Sequence, residues 1–229
     1  MAGFLCDPLC PLWLNLFAVT FGFSPRLCVS AVRFFLKPET QNSKLALDFL
    51  DPFREPWKPI STVALIAWLV FYSLFLLYAL LDRSGFLFID NANLVVHEAG
   101  HLLFSYFGQT LMILGGTIFE LFVPLALALS FAYRRQPAGT AFCAFFFFEN
   151  FLYIATYMAD ARAQELPLVT VGDADYVEHD WFHIFSSLGW LQHDTQIAAF
   201  VRILGWLGML ATVAWLAWLW KRQRATADR

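Results

Sequence analysis

Charge is scarce in this chain: Asp, Glu, Lys and Arg make up 14% of its 229 residues, where an ordinary soluble domain carries about 25%. So little charge excludes a typical water-soluble globule. Cysteine is scarce as well. Cys6, Cys10, Cys28 and Cys143 form no CxxC pair, which excludes a dense disulfide framework and a thiolate zinc module. Neither sign of charge dominates, since 15 Lys and Arg stand against 18 Asp and Glu for a net charge of −3. That balance excludes a basic nucleic-acid binder, and no nucleic-acid partner is expected. No Lys or Arg precedes the first apolar stretch at 12–23, so the charged leader of a secretory signal peptide is missing. Internal repeats and low-complexity tails are absent too.

What fills the chain instead is apolar surface. Hydrophobic residues reach 59% and aromatic residues 18%, with 26 Phe and nine Trp, and the mean hydropathy is +0.59. A core of this size cannot hide that many rings from water. Apolar runs long enough to cross a bilayer, about 20 residues, recur at 60–81, 111–133, 138–159 and 197–220. The fold class expected is an all-α polytopic membrane protein with about four spanning helices. Between the first two runs, 91–108 reads as a helix that is less apolar, short or re-entrant. Segments 12–23 and 26–37 suit interfacial helices, the second alternating cations with apolar residues. The prolines at 52, 56 and 59 mark a linker over 44–59. The organisation expected is an interfacial segment over 1–59, a transmembrane metal-site domain over 60–221 and a basic tail over 222–229.

The cations predict an orientation. Six lie between Arg26 and Lys58, two are Arg134 and Arg135, and Lys221, Arg222 and Arg224 follow the last run. The positive-inside tendency places all three groups in the cytoplasm. This works if 60–81 runs outward and 91–108 enters and returns without crossing. The loop 161–192 then shares the outer side with the start of the 91–108 helix. A multi-pass protein of the bacterial inner membrane is the setting expected.

The sharpest motif is His97-Glu98-Ala99-Gly100-His101. Two His at i and i+4 share one helix face, so both imidazoles can reach one metal ion. A metal there lowers the pKa of a coordinated water towards ~7, and Glu98, at the edge of that face, can take its proton. Ionisable groups at membrane depth are costly and usually face a bundle interior. Two His are half of a zinc site, which usually takes three protein ligands and a water.

The third ligand is open among several residues. Asp160 shares a helical stripe with Glu149, Tyr153 and Tyr157, though it could equally pair with Arg162 at the helix end. His179 and Asp180 belong to a second constellation, His179-Asp180-Trp181-Phe182-His183, with two more His at i and i+4; its plainer reading is an outer loop anchored by Trp181. Glu120 lies in mid-span near Pro124, where it suits a partner that orients a ligand His. Glu149, Asn150 and His183 are further candidates for such supporting roles. Gly100 and Gly115 are expected to let a substrate backbone approach closely.

An HExxH on a membrane helix, a Gly-containing second span and an Asp on a third resemble the site-2-type intramembrane metalloproteases. The resemblance covers residues 91–160. It implies His97, His101 and Asp160 as zinc ligands and Glu98 as general base, with 115–124 where the family has its Gly-plus-Asn motif. Met158-Ala159-Asp160-Ala161-Arg162 stands in place of the family's Leu-Asp-Gly, and the 179–183 segment is additional.

The function expected is a zinc-dependent membrane peptidase acting on membrane proteins or peptides at or within the bilayer. Two other classes compete. One is a di-iron lipid oxidoreductase built on His97, His101, His179 and His183. The other is a non-catalytic metal binder or transporter using Glu120, Glu149 and Asp160 as an ion path.

Overall fold

A computed structural model describes residues 55–166 and 179–227. The expectations for 1–54, including both interfacial helices, lie outside the described residues. Among the described residues the structure is helical, with α1 Thr62–Leu81, α2 Asp90–Phe104, α3 Gln109–Tyr133, α4 Pro137–Ala159, α5 Asp180–Leu188 and α6 Asp194–Ala227. Four stretches are long and apolar enough to cross a membrane: α1, α3, α4 and Leu191–Ala227, which contains α6. The protein is an all-α, multi-pass membrane protein.

Local chemistry sets the boundaries. Ser61 caps α1, its hydroxyl accepting the Ala64 N–H at 3.1 Å, a contact worth ~1 kcal/mol. Pro137 opens α4 at a position where a missing N–H costs nothing. Gly189 closes α5 in the left-handed region at φ +70°, which glycine adopts without strain. Of the basic tail expected at 222–229, residues 222–227 are described and helical. Nothing in 222–227 breaks a helix, so α6 continues to Ala227. There Gln223 accepts the Ile60 N–H and donates to the Trp57 and Lys58 carbonyls, and Arg224 hydrogen-bonds Thr62.

Contacts across the helices show how they run. Lys58 N–H donates to the Arg135 carbonyl at 2.9 Å, and Gln223 joins the same end. The starts of α1 and α4 and the ends of α3 and α6 therefore meet at one pole, with Arg134, Arg135, Lys221, Arg222 and Arg224 around it. After α1 reaches the other pole, the chain turns back along its neighbours. Phe88 N–H donates to Tyr78 Oη at 2.9 Å, and Phe86 packs on Tyr153. α2 then runs back toward that second pole, parallel to α4: Asn93 bonds Glu149 near its start, and His97, one turn on, meets Tyr157. α2 enters and returns. A turn at Ser105–Gly108, with Gly108 at φ +95°, delivers the chain to α3, which packs antiparallel on α2.

Two apolar clusters hold the bundle. Leu65, Tyr72, Ala141, Phe145, Met209 and Leu216 join α1, α4 and α6. Ile154, Ala155, Met158, Trp181, Phe185 and Ala198 pin α5 onto α4 and α6. Within lipid the drive is close packing rather than escape from water. Gly208 illustrates it, because a Cβ there would lie 2.0 Å from the Phe148 ring.

Candidate metal centre

The i, i+4 spacing brings the His97 and His101 rings to 4.7 Å on one face of α2. Each ring is held from behind through Nδ1. His97 Nδ1 lies 3.1 Å from Glu120 Oε2, and His101 Nδ1 lies 2.8 Å from the Met112 carbonyl, both on α3. Both partners are acceptors, so each Nδ1 carries a proton, and each Nε2 faces the other side, where it can offer a lone pair once it gives up its own proton. Asp180, the first residue of α5, completes the cluster. Its Oδ2 lies 3.0 Å from His97 Nε2 and 3.2 Å from His101 Nε2.

Three donor atoms of His97, His101 and Asp180 thus lie within 4.8 Å of one another. Zinc–nitrogen and zinc–oxygen bonds of about 2.0–2.1 Å in tetrahedral array place neighbouring ligand atoms about 3.3 Å apart, so the spacing of Asp180 from both rings fits an ion of that size. Gly116 supplies the floor. A Cβ there would sit 2.5 Å from His97 Nε2 and 2.6 Å from His101 Nε2, inside the space between the ligands.

The surroundings grade from closed to open. The side chains of His97 and Glu120 are 4% and 1% exposed, whereas that of His101 is 21% exposed. Glu98 is half-buried beside this open side. Burial pushes the Glu98 carboxyl above its usual range, and the two imidazoles pull it part of the way back. Burial alone would raise the Asp180 carboxyl, but hydrogen bonds from both imidazoles hold it below the ordinary value.

Asp160, the third ligand implied by the family resemblance, lies outside this triad. It caps the end of α4, where Oδ1 accepts the Glu165 N–H at 2.9 Å and Oδ2 accepts the Leu166 N–H at 3.1 Å. His179 Nε2 also lies 3.4 Å from its Oδ2. His179 is likewise outside the triad: its Nδ1 accepts the Phe182 N–H as the N-cap of α5. Burial holds the His179 imidazole below its ordinary value. Of the four His in the di-iron reading, the structure brings His97 and His101 to the triad and turns His179 to Asp160. His183 is half-buried one turn along α5 and lies outside the triad.

Glu120 stands behind His97. Glu149 is fully buried and accepts from Asn93 Nδ2 at 3.3 Å, a group that also donates to Asp90 at 3.1 Å. Asn150 donates to Phe146 in its own helix. Gly100 and Gly115 pack against each other. A Cβ on Gly100 would lie 2.2 Å from the Gly115 carbonyl, because the two glycines let α2 and α3 touch backbone to backbone.

Tyr157, Met112 and Gly116 hold the centre without forming part of the motif. Tyr157 Oη accepts the Asp180 N–H at 3.2 Å, and its ring lies 4.2 Å from that of His179. Its stripe with Glu149 and Tyr153 was the one signal for it in the sequence. A backbone acceptor such as Met112 leaves no such signal. Comparison with family models, curated proteins and solved structures found no match.

Proposed function

We propose that the protein is a membrane-embedded zinc hydrolase, a peptidase that cleaves membrane proteins or peptides at or within the bilayer. The observation that carries this reading is the convergence of His97 Nε2, His101 Nε2 and Asp180 Oδ2, with both imidazole protons committed to acceptors behind the rings. Three such donor atoms facing one point suit a cation once the rings are neutral.

Two imidazoles and a carboxylate are a donor set used by catalytic zinc, with a fourth position left open. A zinc ion there supplies Lewis acidity and makes water a nucleophile near neutral pH. The chain's own residues do the rest. Glu98, on the open side and with a raised pKa, accepts a proton from water and returns it to the leaving amine. Glu120 and the Met112 carbonyl keep both rings in one tautomer and orientation. A substrate segment must arrive unwound, because carbonyls within a helix are already hydrogen-bonded.

The gathering of basic residues at one pole supports a cytoplasmic location for that pole and an outer location for the metal centre, in a bacterial inner membrane. Elemental analysis of the purified protein beside its His97→Ala variant tests the reading. One zinc per chain, lost in the variant, is the result expected. Two irons per chain would replace it with the lipid oxidoreductase, and zinc retained in full by His97→Ala would overturn it.

A further inference from the structure

Arg202 is a charge inside a span. It stands eight residues after Asp194 on α6, about 12 Å along the helix, between Val201 and Ile203. Among the described residues its guanidinium makes one hydrogen bond, from Nη2 to Thr156 Oγ1 at 3.1 Å. Among the described residues no carboxylate pairs with it. Asp194, two turns back on the same helix, is taken by Arg162 at 2.8 Å. An Arg at membrane depth is costly unless it finds an anion or the headgroup layer.

A shallow, open groove lies beside it. It has a volume of about 320 Å³ between α4 and α6 and is lined by Ala159, Thr195, Ala198, Ala199, Ile203 and Trp206 together with Arg202. The walls are almost wholly apolar, so nothing in them neutralises the guanidinium. Small alanines open the groove, and Trp206 adds the amphipathic ring favoured where acyl chains meet headgroups. None of these residues belongs to the metal centre.

We propose that this groove binds an anionic membrane phospholipid, with the headgroup phosphate on Arg202 and an acyl chain over Ile203 and Trp206. The planar guanidinium keeps donors free for bidentate contact with phosphate oxygens. Charge complementarity selects this occupant, since a neutral apolar ligand would leave the cation unpaired and a free anion would leave the apolar walls uncovered.

Native mass spectrometry of the full chain in detergent tests the assignment. Phosphatidylglycerol, phosphatidylcholine, diacylglycerol and inorganic phosphate are offered in turn to wild type, Arg202→Gln and Arg202→Lys. Wild type is expected to retain one phosphatidylglycerol at least tenfold more tightly than Arg202→Gln and than either other lipid. Arg202→Lys should fall between, keeping the charge without the fork, and millimolar phosphate should not displace the lipid. Equal retention by wild type and Arg202→Gln would overturn the proposal, as would equal retention of diacylglycerol or displacement by phosphate. Should Arg202→Gln fail to give a monodisperse protein, Thr156→Val removes the anchor of the guanidinium instead. A severalfold loss of phosphatidylglycerol is then expected, and unchanged retention overturns the site.

Discussion

Asp180 Oδ2 lies 3.0 Å from His97 Nε2, although 83 positions separate the two residues in sequence. That contact closes the proposed metal centre. It depends on α5 docking on α4 through Trp181 and Phe185 and on Tyr157 accepting the Asp180 N–H.

The first prediction separates the two acids. Asp180→Ala removes one of three ligand atoms and should leave the purified protein without stoichiometric metal. Asp160→Ala disturbs a helix cap and the neighbour of His179, so it should keep metal with affinity reduced about 10-fold at most. Elemental analysis of both variants decides between them, and a metal-free Asp160→Ala beside a loaded Asp180→Ala would reverse the assignment.

Glu98→Gln tests the base. The amide keeps the shape but cannot accept the proton, so metal content should be unchanged while peptide cleavage falls by about 10²–10⁴-fold. Loss of metal in this variant would make Glu98 a ligand.

Gly116→Ala tests the floor of the site. The added methyl would stand 2.5 Å from His97 Nε2, closer than packing allows, and α3 must shift or the rings must part. Metal binding should fall by at least tenfold in a protein that still elutes as a single species. Metal retained at wild-type affinity would show that the three donors do not close around this point.

The pH dependence follows from His97. Burial works to lower its pKa, but the hydrogen bonds the ring donates to the Asp180 and Glu120 carboxylates outweigh it and raise the value to about 9. A raised folded value stabilises the metal-free fold below about 6.5, and this contribution is lost as pH rises through about 9. Metal needs the neutral ring, so uptake at pH 7 must expel a proton and affinity should climb between pH 6 and 9. Calorimetry in buffers of different ionisation enthalpy measures the proton count. A count of zero at pH 7 would contradict the arrangement.

Much of the architecture was legible in the chain because its signals are local. Apolar runs long enough to span, a deficit of charge and the terminal cation clusters report the bilayer without reference to any distant residue. The His97–His101 pair was legible for the same reason, since a helical period places i and i+4 together wherever the helix lies. Glu120 stood out as a carboxylate in mid-span, but which imidazole it would meet depended on how α2 and α3 pack.

Only the tertiary structure decided among Asp160, His179 and Asp180. All three have the right chemistry, and segment 161–180 has no periodicity to say which one turns inward. The choice rests on long-range packing: Trp181 and Phe185 seat α5, backbone N–H groups occupy Asp160, and the N-cap role occupies His179. The glycines make the same point. From sequence Gly100, Gly115 and Gly116 look alike as points of close approach. Their neighbours distinguish them, since the first two let α2 and α3 touch while Gly116 leaves room between two imidazole nitrogens. A residue's type is fixed by the chain, but what occupies the space beside it is fixed by helices that meet only after folding.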